Sequence, residues 1–412
     1  MNANNVKGII ELGSKNLKCI IFDSNNDSDD GKILSASMVK SAGIFNGSVV
    51  NPAKASQAIR ACIASAEKKS NTSLKKISVI FEQPEFLCTK LSKKIKINGA
   101  KIRREDINFL LKEGKKQISL NDPNHSIIHI FNHNYVVDGR KFDEEPIDIY
   151  ADYISHEMTF LTVPKNNIQN IKQTFINCDI EIERYISCNF ALAVNLLSFN
   201  ELKHGSILID IGHEKISVSL FKNLAIVNSF TLPIGTNHIT KDISKVCSLD
   251  MEESEEIKNK IDFSFKSNGE LFLSDNSLKS SFFQNSSYRK ISKSLILSVV
   301  KARLDEIFQI IKKGLNNINI SSSSSTKLFI TGGGSNLVNL EDYCIGFFGS
   351  SVKKIYGSGK KEDVKNLDIS FDSCVGALKI IRDGWETEAI PIPPSSDVKK
   401  YNFFQKIFKN YP

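Results

Sequence analysis

Three glycine-containing turns are spaced over most of this 412-residue chain. Residues 8–23 read as strand, Gly-Ser turn and strand, and residues 206–221 repeat that form. Residues 327–339 read as a strand that runs into three successive glycines. Backbone N–H groups approach a nucleotide phosphate closely only where no side chain intervenes, and glycine at a turn meets that need. One such turn alone is an ordinary hairpin, but three in this order predict a divided nucleotide-phosphate site.

The residues at these turns are the candidate nucleotide ligands. They are Gly13, Ser14 and Lys15 at the first turn, Asp210, Gly212 and Lys215 at the second, and Gly332, Gly333, Gly334 and Ser335 at the third. Asp210 is also the candidate Mg²⁺ ligand, through water, although its carboxylate can equally fix the backbone of its own hairpin. For Lys215, contact with a phosphate and a solvated turn lysine both remain open.

Apolar periodicity and capping patterns predict the elements that hold these turns. Asn51-Pro52 is an N-cap followed by proline at the first helical position, and Asp250 with Glu253 forms a capping-box pattern. Helices are predicted at 51–69, 104–118, 165–178, 189–199, 240–246, 250–261, 288–315 and 372–382. Strands are predicted at 76–81, 126–131, 135–137 and across 147–163, with a hairpin about Asn268-Gly269.

Composition limits the classes of partner. A formal charge of +8 suits nucleic acid or an acidic membrane surface, but no arginine-rich stripe with interleaved aromatics appears, which favours the membrane. Eight scattered cysteines without a Cys-x-x-Cys pair predict buried thiols in a reducing compartment. The first residues lack the pattern of a signal peptide and no apolar run approaches a membrane span. We therefore expect a cytoplasmic protein unless a segment tethers it.

A histidine series raises the question of a metal site. His125, His129 and His133 are four residues apart, a spacing that would cluster them on a helix. The segment HSIIHIFNH alternates as a strand instead, which would place successive histidines roughly 13 Å apart. That separation is too large for one ion, so no metal is expected there.

The C-terminal sequence KKYNFFQKIFKNY predicts an amphipathic helix at 399–411. At about 100° per residue, one apolar arc of roughly 160° contains Tyr401, Phe403, Phe404, Ile407, Phe408 and Tyr411. Lys406 and Lys409 lie outside that arc among polar residues, the pattern of a helix at a membrane interface. Docking on the protein's own core is the alternative, and a linker at 389–398 with three prolines argues against it.

In order and spacing, the three turns resemble the phosphate-1, phosphate-2 and adenosine motifs of the actin/Hsp70/sugar-kinase superfamily. The segments YVVDGRKFDEEPIDIYADYISHEMTFLTVP, TLPIGTNHITKDIS, YRKISKSLILSVVKARLDEIFQII and FDSCVGALKII resemble the bacterial cell-division family FtsA, from about Val6 to Tyr411. The resemblance implies an α/β chain with the actin-like ATPase fold: two lobes of duplicated ribonuclease-H-like domains with an FtsA-type inserted subdomain.

The implied domain boundaries follow that family. Subdomain 1A takes residues 1–83 and 159–204 and closes with a helix at 368–386, and the inserted subdomain 1C takes 84–158. Subdomain 2A takes 205–245 and 321–367, around subdomain 2B at 246–320. A linker at 387–398 leads to a membrane-targeting helix at 399–412.

The resemblance also implies function and partners. FtsA-like proteins bind ATP and Mg²⁺, form protofilaments, and tether the FtsZ ring to the cytoplasmic side of the inner membrane at the division site. The implied contacts are the C-terminal peptide of FtsZ, other membrane proteins of the division machinery, anionic lipid and further copies of the chain, without nucleic acid. The membrane-binding residues are Tyr401, Phe403, Phe404, Lys406, Ile407, Phe408 and Lys409, and the candidate FtsZ-binding residues are Arg289, Lys290 and Arg303.

The nucleotide motifs depart from the family at one point. Where Asp-x-Gly-Gly-Gly-Thr is usual, the second turn reads Asp210-Ile211-Gly212-His213-Glu214-Lys215, and Glu214 could direct a carboxylate towards the phosphates. Glu255 and Lys258 match positions that face the ribose and base. We therefore expect weakened or altered nucleotide binding and slow or absent hydrolysis, so not an enzyme. The alternatives are an active ATPase or kinase of the same fold and an FtsA-like type IV pilus assembly protein that binds a membrane-protein peptide.

Overall fold

The computed structural model describes residues 6–24, 32–265, 269–317, 326–349, 352–357 and 367–382. The backbone forms two compact units. The first takes the described parts of Met1–Ser206, Ser219–Phe230 and Gly357–Pro412, and the second those of Ile207–Val218 and Thr231–Tyr356.

The first part of the chain, up to residue 204, alternates strands and helices. Its strands are β1 (Val6–Leu12), β2 (Asn16–Asp23), β3 (Lys32–Lys40), β4 (Ile44–Phe45), β5 (Ser48–Val49), β6 (Lys76–Phe81), β7 (Leu87–Lys101), β8 (His125–Val137), β9 (Arg140–Phe142), β10 (Tyr150–Pro164) and β11 (Glu181–Ser187). Its helices are α1 (Pro52–Ser70), α2 (Arg104–Asn121), α3 (Lys165–Ile176), α4 (Cys188–Leu196) and α5 (Phe199–His204).

The later part of the chain is similarly mixed. Its strands are β12 (Ser206–Ile211), β13 (Ile216–Lys222), β14 (Ala225–Leu232), β15 (Lys327–Thr331) and β16 (Val352–Lys354). Its helices are α6 (Thr236–Cys247), α7 (Met251–Lys260), α8 (Lys293–Asn317), α9 (Leu340–Phe348) and α10 (Asp372–Arg382).

A mixed five-stranded sheet in the order β11-β6-β1-β2-β3 organises the first unit. β1 and β2 form an antiparallel hairpin that pairs Leu12 with Leu17, and β1 runs parallel to β6. Helix α1 begins as predicted, with Pro52 after Asn51, whose side chain accepts a hydrogen bond from the Lys54 N–H at 3.1 Å. Its apolar stripe is buried, so the sequence pattern of period 3.6 fixes the face that covers the sheet.

An inserted antiparallel sheet in the order β7-β10-β8-β9 lies between β6 and α3 in the chain. Helix α2 covers one face of it, where Ile107 and Leu110 pack with Ile154 and Ile118 packs with Phe160. Residues of opposite parity on β7 therefore project from the other face. β10 continues to Pro164, beyond the expected end of subdomain 1C at residue 158.

A second five-stranded sheet has the order β14-β13-β12-β15-β16. The phosphate-2 hairpin β12–β13 and strand β15, which leads into the glycine triplet, are neighbours in this sheet. Each turn thus follows a largely buried strand. The apolar side chains of β12 and β15 account for the burial of these two strands.

Several predicted helix boundaries are wrong for identifiable reasons. The predicted helix 189–199 ends at Leu196 because Ser198 and Glu201 form a capping box that opens α5. The predicted helix 240–246 begins earlier, at Thr236. The predicted helix 288–315 begins only at Lys293, because Ile291 and Ser292 are drawn into bridging contacts with residues 277–278. The strand 76–81 and the helix 372–382 are confirmed with their predicted ends.

The eight cysteines are free thiols, seven of them buried and Cys88 partly buried. The predicted hairpin about Asn268-Gly269 falls partly outside the described residues.

Candidate functional site

The first phosphate turn joins β1 to β2. Gly13 is required by close packing, since a Cβ there would overlap the carbonyl oxygen of Asn16. The Ser14 hydroxyl is buried without a hydrogen-bond partner. Lys15 is exposed, and its carbonyl accepts a hydrogen bond from the Ser41 N–H at 2.9 Å. The turn therefore presents one unsatisfied hydroxyl, which is the chemistry expected where a polar ligand completes the site.

A partly buried ion pair lies directly behind this turn. Lys18 Nζ donates to Glu11 Oε2 at 2.9 Å, and the Ser373 hydroxyl of α10 donates to the same oxygen at 2.5 Å. Burial alone would lower the pKa of Lys18, but the adjacent Glu11 carboxylate outweighs it and the net shift is upwards. Lys18 therefore stays cationic beneath the turn. The sequence analysis did not identify Lys18 as part of the site. Lys18 directly precedes an apolar run in the same strand, and a lysine in such a place is expected to have a charged partner.

The second phosphate turn is held by the first residues of α6. The Gly212 N–H donates to the Lys215 carbonyl at 3.0 Å and closes the turn. The Thr236 N–H donates to the Gly212 carbonyl at 3.0 Å, and the Asn237 N–H donates to the His213 carbonyl at 2.8 Å. The first N–H groups of a helix have no partner within it, so these two bonds satisfy them and fix the turn.

The Glu214 carboxylate, whose contact with the phosphates the sequence leaves open, is held by side chains of α6. Its side chain is buried, accepts a 2.5 Å hydrogen bond from Asn237 Nδ2, and contacts Lys241 Nζ at 3.3 Å. Both partners belong to α6. The negative charge is thus compensated within the fold, so repulsion from Glu214 is weaker than the sequence indicates.

The three glycines after β15 have different surroundings. Gly332 has φ +86°, and a Cβ there would overlap the Asp210 carboxylate. A Cβ at Gly334 would come within 2.5 Å of Ile211 Cγ2 and 2.6 Å of Thr236 Cγ2. At Gly333 a Cβ would meet nothing within 4 Å. Two glycines are therefore dictated by packing, and the middle one borders open space.

Ser335 and Asp210 complete the adenosine-side turn. The Ser335 hydroxyl donates to the Gly332 carbonyl at 2.7 Å and its N–H donates to the same oxygen at 3.1 Å. That hydroxyl is thus committed to the turn. Asp210 lies against the Gly332 backbone, which brings the second and third motifs together within one unit.

Glu255 and Lys258 are one buried polar cluster on α7. Lys258 is 2% exposed, and its Nζ donates to Glu255 Oε2 at 2.5 Å and to the Thr240 hydroxyl at 3.0 Å. The Thr240 hydroxyl donates to the same Glu255 oxygen at 2.6 Å. Glu255, with a side chain 24% exposed, is the member accessible to a ligand.

In the second unit, the open side of Gly333 would permit close approach of a phosphate to the backbone. In the first unit, the Ser14 hydroxyl has no hydrogen-bond partner. Asp210 supplies the carboxylate that suits Mg²⁺, directly or through water. In the part of the chain that the structure describes, no cluster of three or more metal-ligating side chains occurs. His125 and His129 lie on strand β8, so the predicted strand is confirmed, and His129 Nε2 accepts the Ser187 N–H at 3.0 Å.

The three candidate FtsZ-binding residues differ in how their charges are used. Arg303 contacts both oxygens of Asp242, at 2.5 Å and 3.0 Å, and also Glu306 at 2.5 Å. Lys290 pairs with Asp275 at 3.0 Å on the surface, and its side chain is 72% exposed. The Arg289 guanidinium donates to the Ser248 carbonyl. Arg289 and Lys290 are therefore both exposed, whereas Arg303 would have to exchange an internal partner.

Comparison with family models decides the identity. The model described as "Cell division protein FtsA" matches residues 207–370, and that described as "SHS2 domain inserted in FTSA" matches residues 86–162. The chain belongs to the FtsA family. The FtsA of Buchnera aphidicola subsp. Baizongia pistaciae is 21% identical to it over 404 residues, which cover 96% of this chain and 94% of the relative. The FtsA of Bacillus subtilis is 24% identical over 330 residues, covering 78% and 72%.

Solved structures establish the same fold for this FtsA-family chain. A PilM-PilN type IV pilus biogenesis complex matches with a TM-score of 0.60 at 12% identity, covering 90% of this chain and 97% of the other. MreB5 of Spiroplasma citri bound to ADP matches with a TM-score of 0.52 at 12% identity, covering 92% and 98%. The predicted actin-like ATPase fold with an FtsA-type insert is therefore confirmed.

Two further points concern attachment to a membrane. Residues 383–412, with the linker and the predicted membrane-binding residues, lie outside the described residues. Among the helices that the structure describes, none has the length and apolarity needed to span a bilayer.

Proposed function

We propose that this FtsA-family chain is an actin-like adaptor that tethers FtsZ to the cytoplasmic face of the inner membrane during division. Two observations support the proposal. The chain belongs to a family of cell-division proteins, and its sequence at 399–411 alternates aromatic and lysine residues at helical spacing. The second observation carries it, because an interfacial helix would give the chain a means of attachment to the membrane.

Such an anchor is weak alone. Its four lysines contribute about 1 kcal/mol each near anionic lipid, and its apolar face is short. We propose that the chain polymerises, because neighbouring copies in a filament raise the effective concentration of anchors and convert weak binding into stable attachment. Scaffolding is then the task, with the C-terminal peptide of FtsZ and other division proteins as partners.

We also propose that ATP and Mg²⁺ bind the three motifs, with altered affinity and slow hydrolysis. Gly333 offers an open backbone and Glu255 a partly exposed carboxylate. The buried Ser14 hydroxyl lacks a hydrogen-bond partner, and Lys18 supplies positive charge behind the first turn. The bulky His213 and Glu214 restrict the second turn. At the following position where the family usually has an acidic residue, this chain has the buried Ser217. A bound Mg²⁺–ATP would supply phosphate charge that these residues orient.

Calorimetric titration of the full chain with Mg²⁺–ATP tests this part, combined with a phosphate-release assay. We expect weaker than micromolar binding and little turnover. Micromolar affinity with steady turnover would instead support the ATPase or kinase alternative.

Flotation with liposomes tests the adaptor itself. The full chain should float with vesicles that contain anionic lipid, and a version that ends at Ser396 should stay behind. A control with a charge change of similar size replaces Lys112 and Lys116, exposed lysines of α2, with glutamate and should float like the parent. Equal flotation of the full and shortened chains would refute the adaptor and favour the pilus-type alternative, in which a membrane-protein peptide supplies the attachment.

A further inference from the structure

A cleft of about 580 Å³, lined by both polar and apolar residues, lies on the face of the inserted sheet that α2 leaves uncovered. Its floor includes Lys90 and Ser92 of β7 and Glu157 of β10, and its roof is formed by Lys222 and Asn223 at the tip of the β13–β14 hairpin. Every residue that lines it belongs to the first unit. We call it the sheet cleft.

Asparagines hold the sheet cleft in shape. Asn223 Nδ2 donates to Asn134 Oδ1 at 2.6 Å and to Asp143 Oδ1 at 3.1 Å, and Asn134 Nδ2 donates to Glu157 Oε2 at 2.8 Å. This network joins the roof to two strands of the floor. The two carboxylates in the sheet cleft already accept amide hydrogen bonds within the protein.

The hairpin tip is fixed in an unfavourable backbone conformation. Asn223 has φ +50° and Leu224 has φ +64°. Asparagine adopts this region readily, but leucine does so rarely. The N–H groups of both residues donate to carbonyls at the end of α5, at 3.0 and 3.1 Å. Holding Asn223 over the sheet therefore costs the fold some conformational free energy.

Three lysines border the sheet cleft: Lys90, Lys141 and Lys222. All three are exposed, and none makes an ion pair within the described residues. Lys94 and Lys96 continue the basic row on the same side of β7, because side chains of equal parity share a face. Lys94 lies 4.2 Å from the centre of the Tyr153 ring. Positive charge therefore exceeds negative charge along this face.

The strand register sets the size of the ligand. Lys90 pairs with Thr159, whereas Lys141 is level with Ser155 through Val136. Four residues along β10 and three strand spacings across the sheet put their Cα atoms roughly 19 Å apart. One small anion cannot reach both lysines. An extended peptide of about six residues spans that distance.

We propose that the sheet cleft binds an extended acidic segment of a partner protein, with its carboxylates on Lys90, Lys141 and Lys222. Charge complementarity selects this partner. This site is separate from the nucleotide motifs and from residues 399–412, so it stands whether or not the proposed adaptor function does.

Fluorescence anisotropy tests the proposal with the full-length protein. The probe is a fluorescein-labelled peptide in which glutamates alternate with threonines, and its counterpart carries glutamine for glutamate. The variant K90E/K141E/K222E is compared with K112E/K116E/K172E, which makes the same charge change at exposed lysines of α2 and α3. We expect the cleft variant to lose at least about tenfold in affinity, the control to change less than about twofold, and the glutamine peptide to bind weakly.

Hydrogen exchange locates the bound peptide and separates the alternatives. Protection is expected at residues 134–143 and 220–227. Equal loss of affinity in both variants, equal binding of the glutamine peptide, or no binding of the glutamate peptide would overturn the proposal. So would loss of flotation with phosphatidylserine vesicles in the cleft variant while peptide binding is retained, since that would assign the lysines to lipid.

Discussion

Replacement of single glycines in the triplet after β15 separates packing from ligand contact. In Gly332→Ala, the new methyl group would overlap the Asp210 carboxylate, and the backbone is at φ +86°, ψ 168°. A side chain in that conformation costs about 1–3 kcal/mol, and overpacking costs about 1–3 kcal/mol more. We expect the second unit to lose about 2–6 kcal/mol of stability against local opening, the sum of these two terms.

Gly333→Ala is the matched control on the same turn. A Cβ at this position meets nothing within 4 Å, so stability should stay the same or rise by about 0.4–1 kcal/mol through the unfolded chain. If the open side of Gly333 faces the nucleotide, the added methyl group should weaken ATP binding although the fold is intact. The two variants therefore predict opposite patterns.

Hydrogen-exchange mass spectrometry measures the local effect, on peptides that cover residues 207–218 and 327–340. Calorimetry with Mg²⁺–ATP measures the ligand. Faster exchange in Gly332→Ala than in Gly333→Ala is expected. If both variants exchange like the parent, the close contact with Asp210 is not a constraint on the fold, and the reasoning about this turn fails.

Two further predictions concern α7, the helix that carries Glu255 and Lys258. Glu253 is 3% exposed; burial would raise its pKa, but hydrogen bonds from Ser286 and Asn285 outweigh this and lower the pKa to about 2. Its contribution to the free energy of unfolding, at most about 3 kcal/mol, is complete above about pH 4.5 and is lost as the pH falls towards 2. Glu253→Gln should therefore make stability less dependent on pH in acid. The exposed Glu252→Gln should leave that dependence unchanged. Lys258→Met should destabilise the second unit by about 1–3 kcal/mol because Glu255 and Thr240 lose their shared donor. The exposed Lys260→Met should change stability by less than about 0.5 kcal/mol. Urea titration followed by hydrogen exchange of α7 peptides checks both predictions, and equal effects of a variant and its control would contradict the roles given to Glu253 and Lys258.

Much of the fold is readable from local patterns. The Asn51-Pro52 start of α1 and the Asp250–Glu253 capping box are confirmed because each depends on residues within one turn of helix. The start of α6 is not readable in that way. It is fixed by hydrogen bonds from Thr236 and Asn237 to the distant phosphate-2 turn, which no local periodicity reports.

The site shows the same division. Gly13 and Gly332 were identified because a turn with tight packing demands glycine. The contacts of Glu214 could not be predicted from the sequence because its partners, Asn237 and Lys241, come from a helix more than twenty residues later in the chain. The overlooked Lys18 has its partner seven residues away, on the adjacent strand of the hairpin. Side-chain pairing across elements is the part that sequence alone left open.

Recruitment of purified FtsZ to anionic liposomes tests the central claim most directly. FtsZ should float with the vesicles when the full chain is present, and should remain unbound both without it and with the version that ends at Ser396. FtsZ that stays in solution while the full chain itself floats would contradict a tethering role.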